Sequence, residues 1–150
     1  MRISRDQMFM EMAEVLAKRS TCLRNNVGAL LVDNKNHNIV SCGYNGPAPG
    51  CEHCTITTCL GKGCDRSQHA EHNALSRIVG SRVGDFSLYT TVSPCSRCVD
   101  EIIKFKNIHK VFYRYPYRDL TPLECLQLHD IKIYRVLSSG EIIDESIQSN

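Results

Sequence analysis

Leu88-Tyr89-Thr90-Thr91-Val92-Ser93-Pro94-Cys95-Ser96-Arg97-Cys98 is the stretch that decides the fold. The residues up to Val92 are apolar or β-branched and read as a strand. Pro94 ends it and holds the two cysteines at the start of the helix that follows, predicted over residues 96–105 with Val99, Ile102 and Ile103 on one face. Cys95 and Cys98 are three apart, so the first turn of that helix can present both sulfurs to one ion. Upstream, His69-Ala70-Glu71 opens another predicted helix, 69–79, where His69 can meet a metal while Glu71 points beside it. One imidazole and two thiolates fill three corners of a tetrahedral zinc and leave the fourth for water, and a carboxylate that is not a ligand is free to move protons. A C-x-x-C alone is equally a redox pair or half of a zinc ribbon. The strand-to-helix context, joined to His69 and Glu71, favours a catalytic zinc over a purely structural one.

Working outward, Ser4-Arg5-Asp6-Gln7 resembles a capping box, and Met8, Phe9, Met12, Val15 and Leu16 then repeat at helical spacing, which predicts a first helix up to Lys18 with that stripe in the core. Residues 27–32 and 39–44 read as two strands of an antiparallel hairpin, joined by a polar turn in which His37 is solvated. From 45 to 67 no periodicity survives, and a loop of that length in a compact domain is usually functional or held by something other than a core. Beyond the strand at 87–92 and its helix come a strand at 110–114, a short helix for which Thr121, Pro122 and Glu124 supply N-cap, N1 and N3, and a strand at 131–136. A hairpin followed by alternating helices and strands predicts a three-layer α/β/α domain with a mixed five-stranded sheet. The tail after Ser138 reads as peripheral.

At 150 residues, with 42% hydrophobic and 23% charged side chains, the chain suits one domain, 1–150, with a full core. No apolar run approaches the length of a membrane span, and charges run through the first 18 residues, so a soluble cytoplasmic protein is expected. A formal charge of +2 without a basic block is not the footprint of an obligate nucleic-acid binder. Nine cysteines is a high and odd count, and without a secretory context thiolates on metal are a better reading than disulfides. Cys42 and Cys125 read as plain buried residues. Cys51, His53, Cys54, Cys59 and Cys64 crowd the irregular loop, with Cys22 just before the first strand; a second, structural zinc would tie down a segment with no apolar means of folding itself, the alternative being redox storage or a disulfide.

The pattern H-x-E…P-C-x-x-C is the signature of zinc deaminases of nucleobases. Added to it are Ser20-Thr21-Cys22-Leu23-Arg24 before Val27-Gly28-Ala29, Gly43-Tyr44-Asn45-Gly46-Pro47, the cysteine-rich loop leading into His69-Ala70-Glu71-His72-Asn73-Ala74-Leu75, and Tyr117-Arg118-Asp119. Together these resemble the compact bacterial and phage deoxycytidylate (dCMP) deaminases of the cytidine deaminase superfamily, from about residue 20 to 136. The resemblance implies a cytidine-deaminase-like fold and zinc-dependent hydrolysis of dCMP to dUMP and ammonia. It implies two zinc ions per chain: a catalytic one on His69, Cys95 and Cys98, with Glu71 as the proton carrier, and a structural one on Cys22, Cys54, Cys59 and Cys64, with His53 as the alternative ligand. It further implies a homohexamer activated by dCTP and inhibited by dTTP, with Mg2+ on the triphosphate, at a site near Gly43, Asn45, Gly46, Pro47 and Asn73.

For the substrate, Arg24 and Arg118, helped by Ser20, are candidates for the phosphate, since a guanidinium binds phosphate oxygens in a bidentate way. The Ala70 backbone and the Ser93 carbonyl are candidates for the base edge, Tyr117 for packing on base or sugar, and Asn45 for the sugar. Two other functions fit parts of the pattern: a deaminase of tRNA adenosine or of a free base, which would want a basic tract, and a non-catalytic zinc-binding module, which would leave Glu71 without a role.

Overall fold

The computed structural model describes residues 1–55 and 67–146. Ser4 accepts a hydrogen bond from the Gln7 amide at 3.1 Å and starts α1, Arg5–Ala17, as the capping pattern predicts. There follow β1 (Gly28–Asp33), β2 (Ile39–Tyr44), β3 (Gly46–Pro47), β4 (Ser67–Gln68), α2 (Ala70–Ser76), β5 (Phe86–Val92), α3 (Ser96–Phe105), β6 (Ile108–Tyr115), α4 (Thr121–Leu128), β7 (Lys132–Val136) and β8 (Ile142–Asp144). The main sheet runs β2-β1-β5-β6-β7-β8. In it β1 is antiparallel to β2 and β5, while β5, β6 and β7 are mutually parallel.

The three-layer α/β/α architecture stands, but the main sheet has six strands where five were expected. The extra one is β8, which pairs antiparallel with β7 from Tyr134↔Asp144 to Val136↔Ile142. The tail read as peripheral is also pinned beyond β8: the Tyr113 hydroxyl donates to the Glu145 carboxylate, and Gln127 Nε2 donates to the Glu145 carbonyl at 2.8 Å. Three residues are too few to carry a periodic signal, so only the exposed edge of β7 makes them a strand. Within the segment read as irregular, β3 and β4 pair through Gly46↔Gln68 and Pro47↔Ser67.

One face of the sheet carries α2, α3 and α4 over Leu31, Phe86, Leu88, Val111 and Ile133. Among the described residues the other carries α1 alone, over Leu30, Val32, Tyr89, Phe112 and Val136. On that second face the Tyr89 and Phe112 rings stack at 4.4 Å and the Phe112 and Tyr134 rings at 4.9 Å, each pair worth about 0.5–1.5 kcal/mol beyond its buried area. The stripe expected for α1 needs correction. Phe9 is buried and Leu16 partly so, but Met8, Met12 and Val15 are exposed, and the buried face is Phe9, Met10, Ala13 and Ala17. The cause is Gly28, where an added Cβ would stand 2.0 Å from the Ala13 carbonyl oxygen and 2.7 Å from the Ala17 nitrogen. The helix backbone lies directly on the strand there, so Ala13 and Ala17 face the sheet at Gly28 while Met8, Met12 and Val15 turn outward.

Smaller corrections have similar causes. Cys42 and Cys125, expected buried, are exposed, Cys42 on the outward side of the edge strand β2 and Cys125 on the outer face of α4. Thr121 is the first residue of α4 and not its cap; the Asp119 carboxylate instead accepts the Thr121 amide at 3.0 Å. The helix expected over 69–79 ends at Ser76. Among the described residues no helix is long and apolar enough to cross a membrane.

Candidate active site

The site forms at the carboxyl ends of the parallel strands β5 and β6, where open α/β sheets bind ligands. Two helix starts converge there. His69 is the N-cap of α2 and Cys95 the N-cap of α3, and neither side chain makes a capping hydrogen bond to its own helix. Both are turned toward each other: His69 Nδ1 lies 3.2 Å from Cys98 Sγ and 3.4 Å from Cys95 Sγ. The sequence folds this way because Ser93 N bonds the Tyr115 carbonyl at 2.9 Å and keeps the end of β5 in the sheet until Pro94 releases α3.

Glu71, in the first turn of α2, is buried at 4% exposure. Its Oε2 lies 3.5 Å from Cys98 Sγ and its Oε1 3.2 Å from the Thr90 hydroxyl. Burial pushes its carboxyl above the ordinary carboxylate range, opposed by a backbone hydrogen bond and by His69. The two sulfurs are hydrogen-bonded to each other, with opposite effects on the two. The side-chain hydrogen bond from Cys98, aided by His69, draws Cys95 down to about 3, and that same bond with burial holds Cys98 well above the usual thiol range. The Cys95 thiolate in turn raises His69 above its ordinary value.

These donors fit a zinc ion. His69, Cys95 and Cys98 are the one group of metal-capable side chains found among the described residues, their ligand atoms all within 4.8 Å of one another. A tetrahedral zinc with bonds of about 2.0–2.1 Å to nitrogen and 2.3 Å to sulfur wants its nitrogen and sulfur ligands about 3.6 Å apart. The observed separations, with one sulfur already in thiolate form, come close to that.

The site opens into a cavity of about 780 Å³, within the usual range for small-molecule sites. Of the residues expected in it, Glu71, His69, Cys95, Ala70, Ser93, Arg24, Asn45, Tyr117 and Arg118 all line it. Cys98 lies behind the others, at 1% exposure. The Arg118 guanidinium stands over the Tyr117 ring at 5.6 Å, and the Tyr117 amide donates to Ser93 Oγ at 2.7 Å, so the turn after β6 is fastened to the start of the cysteine segment. Ser20 does not line the cavity; its hydroxyl donates to Asn45, 2.8 Å from the carbonyl and 2.6 Å from Oδ1. Asn45 also accepts the Val27 amide at 2.8 Å and donates to the Asn25 carbonyl at 2.6 Å, so it shapes the wall formed by residues 25–27.

Gly43, Gly46, Pro47 and Asn73 sit around the base of α2. A Cβ on Gly43 would lie 2.6 Å from the Ala70 carbonyl oxygen, Asn73 Nδ2 donates to the Tyr44 carbonyl at 2.9 Å, and Gly46 and Pro47 form β3. Of the second cysteine cluster, Cys22 and Cys54 are buried and His53 is exposed, whereas Cys59 and Cys64 lie outside the described residues. Sequence reasoning missed Thr90, the hydroxyl beside Glu71, and Ser67, whose buried Oγ lacks a hydrogen-bond partner among the described residues and lines the cavity. No sign in the sequence singles out Thr90, since Ser87, Tyr89 and Thr91 in the same strand also carry hydroxyls.

A mixed sheet with a buried carboxylate beside a His–Cys–Cys cluster at its carboxyl edge defines a metal-binding type of centre. Residues 3–115 match the model of the cytidine and deoxycytidylate deaminase zinc-binding region, and the chain belongs to that family. It is 38% identical over 121 residues to ComE operon protein 2 of Bacillus subtilis, covering 78% of this chain and 62% of that protein. It is 36% identical over 127 residues to the deoxycytidylate deaminase of Schizosaccharomyces pombe, covering 77% of this chain and 38% of the relative. The chain thus spans less than two thirds of either relative. The crystal structure of dCMP deaminase from the cyanophage S-TIM5 in complex with dCMP and dUMP superposes with a TM-score of 0.79 at 29% identity, over 90% of this chain and 98% of that one.

Proposed function

We propose that the chain is a single catalytic domain that hydrolyses dCMP to dUMP and ammonia, acting in the cytoplasm, or in the host cytoplasm if its source is a virus. The observation that carries this is a buried carboxylate, Glu71, against His69, Cys95 and Cys98 in a cavity whose exposed lining includes Arg24 and Arg118. Support comes also from the names of the relatives.

His69, Cys95 and Cys98 would hold the zinc, whose chemistry when bound is to bring the pKa of a water toward neutrality. Glu71 would take a proton from the attacking water and pass it to ring nitrogen 3 as the water oxygen adds to carbon 4. It then delivers the second water proton to the departing amine, so ammonia leaves and the carboxylate is restored. A carboxyl raised by burial suits both halves of this task, since a shuttle works best when its pKa approaches the working pH. The Thr90 hydroxyl, bonding Oε1, aims the other oxygen toward the metal cluster. The Ala70 backbone and the Ser93 carbonyl would fix the base edge, Tyr117 would pack on base or sugar, and the two arginines would take the phosphate.

An assay with dCMP, CMP, deoxycytidine, adenosine-containing RNA and guanine tests the reading: dCMP is expected to be turned over best, and preference for RNA or guanine would replace it by one of the other deaminase readings. Within that assay, Arg118→Ala is expected to lower kcat/KM for dCMP by roughly 10- to 150-fold, the equivalent of losing about 1.5–3 kcal/mol of charge-assisted bonding, and to leave deoxycytidine nearly unchanged. Equal losses on both would assign Arg118 to the fold.

The proposal extends to a homohexamer regulated by dCTP as activator and dTTP as inhibitor, each with Mg2+. The Asn73 bond to Tyr44 supports it, because it ties α2, which carries Glu71, to the segment of Gly43, Asn45, Gly46 and Pro47. The two triphosphates are expected to move the dCMP saturation curve in opposite directions by a coupling of about 1–3 kcal/mol. Identical curves on an oligomeric protein would reduce the chain to an unregulated enzyme.

A further inference from the structure

Outside the lining of the substrate cavity, α2 and α3 are joined by a second polar contact besides that of Glu71 with Cys98. His72 Nδ1 lies 2.9 Å from Glu101 Oε2, with both side chains about one third exposed, at 37% and 29%. The spacing is regular: His72 is three residues after His69 on α2, and Glu101 three after Cys98 on α3, so each partner stands one helical turn beyond a metal-ligating residue. Between the pair and the ligands is a second cavity of about 40 Å³, lined by Gln68, His69, His72, Arg97, Cys98 and Glu101. One water needs about 10–15 Å³ on such a measure, together with two or more polar partners, and this cavity offers both.

His69 presents Nδ1 to the two sulfurs, which leaves Nε2 as the nitrogen to be fixed from outside. A metal-ligating histidine almost always donates that other N–H to a carboxylate, a carbonyl or a water, and the partner sets the tautomer, the ring orientation and the basicity of the ligand. We infer that Glu101, oriented by His72, is the outer carboxylate that anchors His69 Nε2–H across this small cavity through one water. His72 and Glu101 are therefore positioning residues. They touch neither substrate nor metal, and they act on how tightly His69 holds the ion. Arg97 shares the same lining. This inference rests on the zinc reading of the site.

The test uses zinc-loaded protein and follows release of the ion to excess colorimetric chelator. Glu101→Ala is expected to release zinc about 10- to 100-fold faster than wild type. Glu101→Gln, which keeps an acceptor, is expected to recover part of that loss, and His72→Ala to lie between wild type and Glu101→Ala. In 15N-labelled holoprotein the His69 Nε2–H resonance is expected to exchange slowly with solvent and to be lost from Glu101→Ala. Thermal unfolding of the metal-free proteins separates this from a simple clip between helices, which would destabilise the apo fold and leave the His69 proton unaffected. Zinc release and His69 N–H exchange unchanged in Glu101→Ala would overturn the proposal alone. Wild type that takes up no zinc at His69 would overturn the site reading and this proposal with it.

Discussion

Glu71→Gln is expected to lower dCMP turnover by about 10²- to 10⁴-fold, the usual worth of a positioned acid-base group, while leaving the bound zinc and the fold in place. The substitution keeps the shape of a side chain that is 4% exposed, and its amide oxygen can still accept from the Thr90 hydroxyl. It removes the one group beside the cluster able to accept a proton and return it. Stability is expected to hold or rise, because burial already disfavours the carboxylate and a neutral amide carries less of that desolvation cost. Steady-state kinetics, thermal unfolding and metal content on one preparation check all three parts. Full turnover of dCMP by a Glu71→Gln protein would remove the proposed mechanism.

Cys95→Ser is expected to abolish zinc retention at the catalytic site and activity with it. A serine hydroxyl stays protonated at neutral pH, whereas the Cys95 sulfur is already held as a thiolate by Cys98 and His69, so the variant loses a charged ligand and not merely a soft one. The loss in affinity should exceed the 10- to 100-fold typical of an outer partner. Metal analysis on wild type purified without chelators is expected to find about two equivalents: one lost in Cys95→Ser, the other in Cys59→Ser together with thermal stability. A single equivalent that disappears with Cys95→Ser would sink the second, structural ion on Cys22, Cys54, Cys59 and Cys64.

Much of the site is legible because its residues lie in short, rigid local frames. The proline and the three-residue spacing from Cys95 to Cys98 put both sulfurs on one helical turn, and the two-residue spacing from His69 to Glu71 separates the imidazole from the carboxylate at a helix start. Asn45 is different. Its identity is visible, but its use is not, since its partners Ser20, Asn25 and Val27 come from a segment about twenty residues earlier in the chain. The Thr90 contact to Glu71 escapes for the same reason, joining a strand to a helix nineteen residues away.

What the sequence determined by itself is therefore the chemistry: the donor set, the carboxylate beside it, the alternation of helices and strands, and the absence of a basic tract. These depend on residue type and on spacings within a few residues, where backbone geometry leaves little choice. Only the tertiary structure decided which face of α1 is buried, that β8 completes a sixth strand, that Cys42 and Cys125 face outward, and that His72 meets Glu101. Each of these turns on a close approach between distant segments, such as the Ala13 carbonyl against Gly28 or Asp144 against Tyr134. Hydrophobic periodicity reports which residues prefer to be buried, but the partner that buries them is set by packing across the whole sheet.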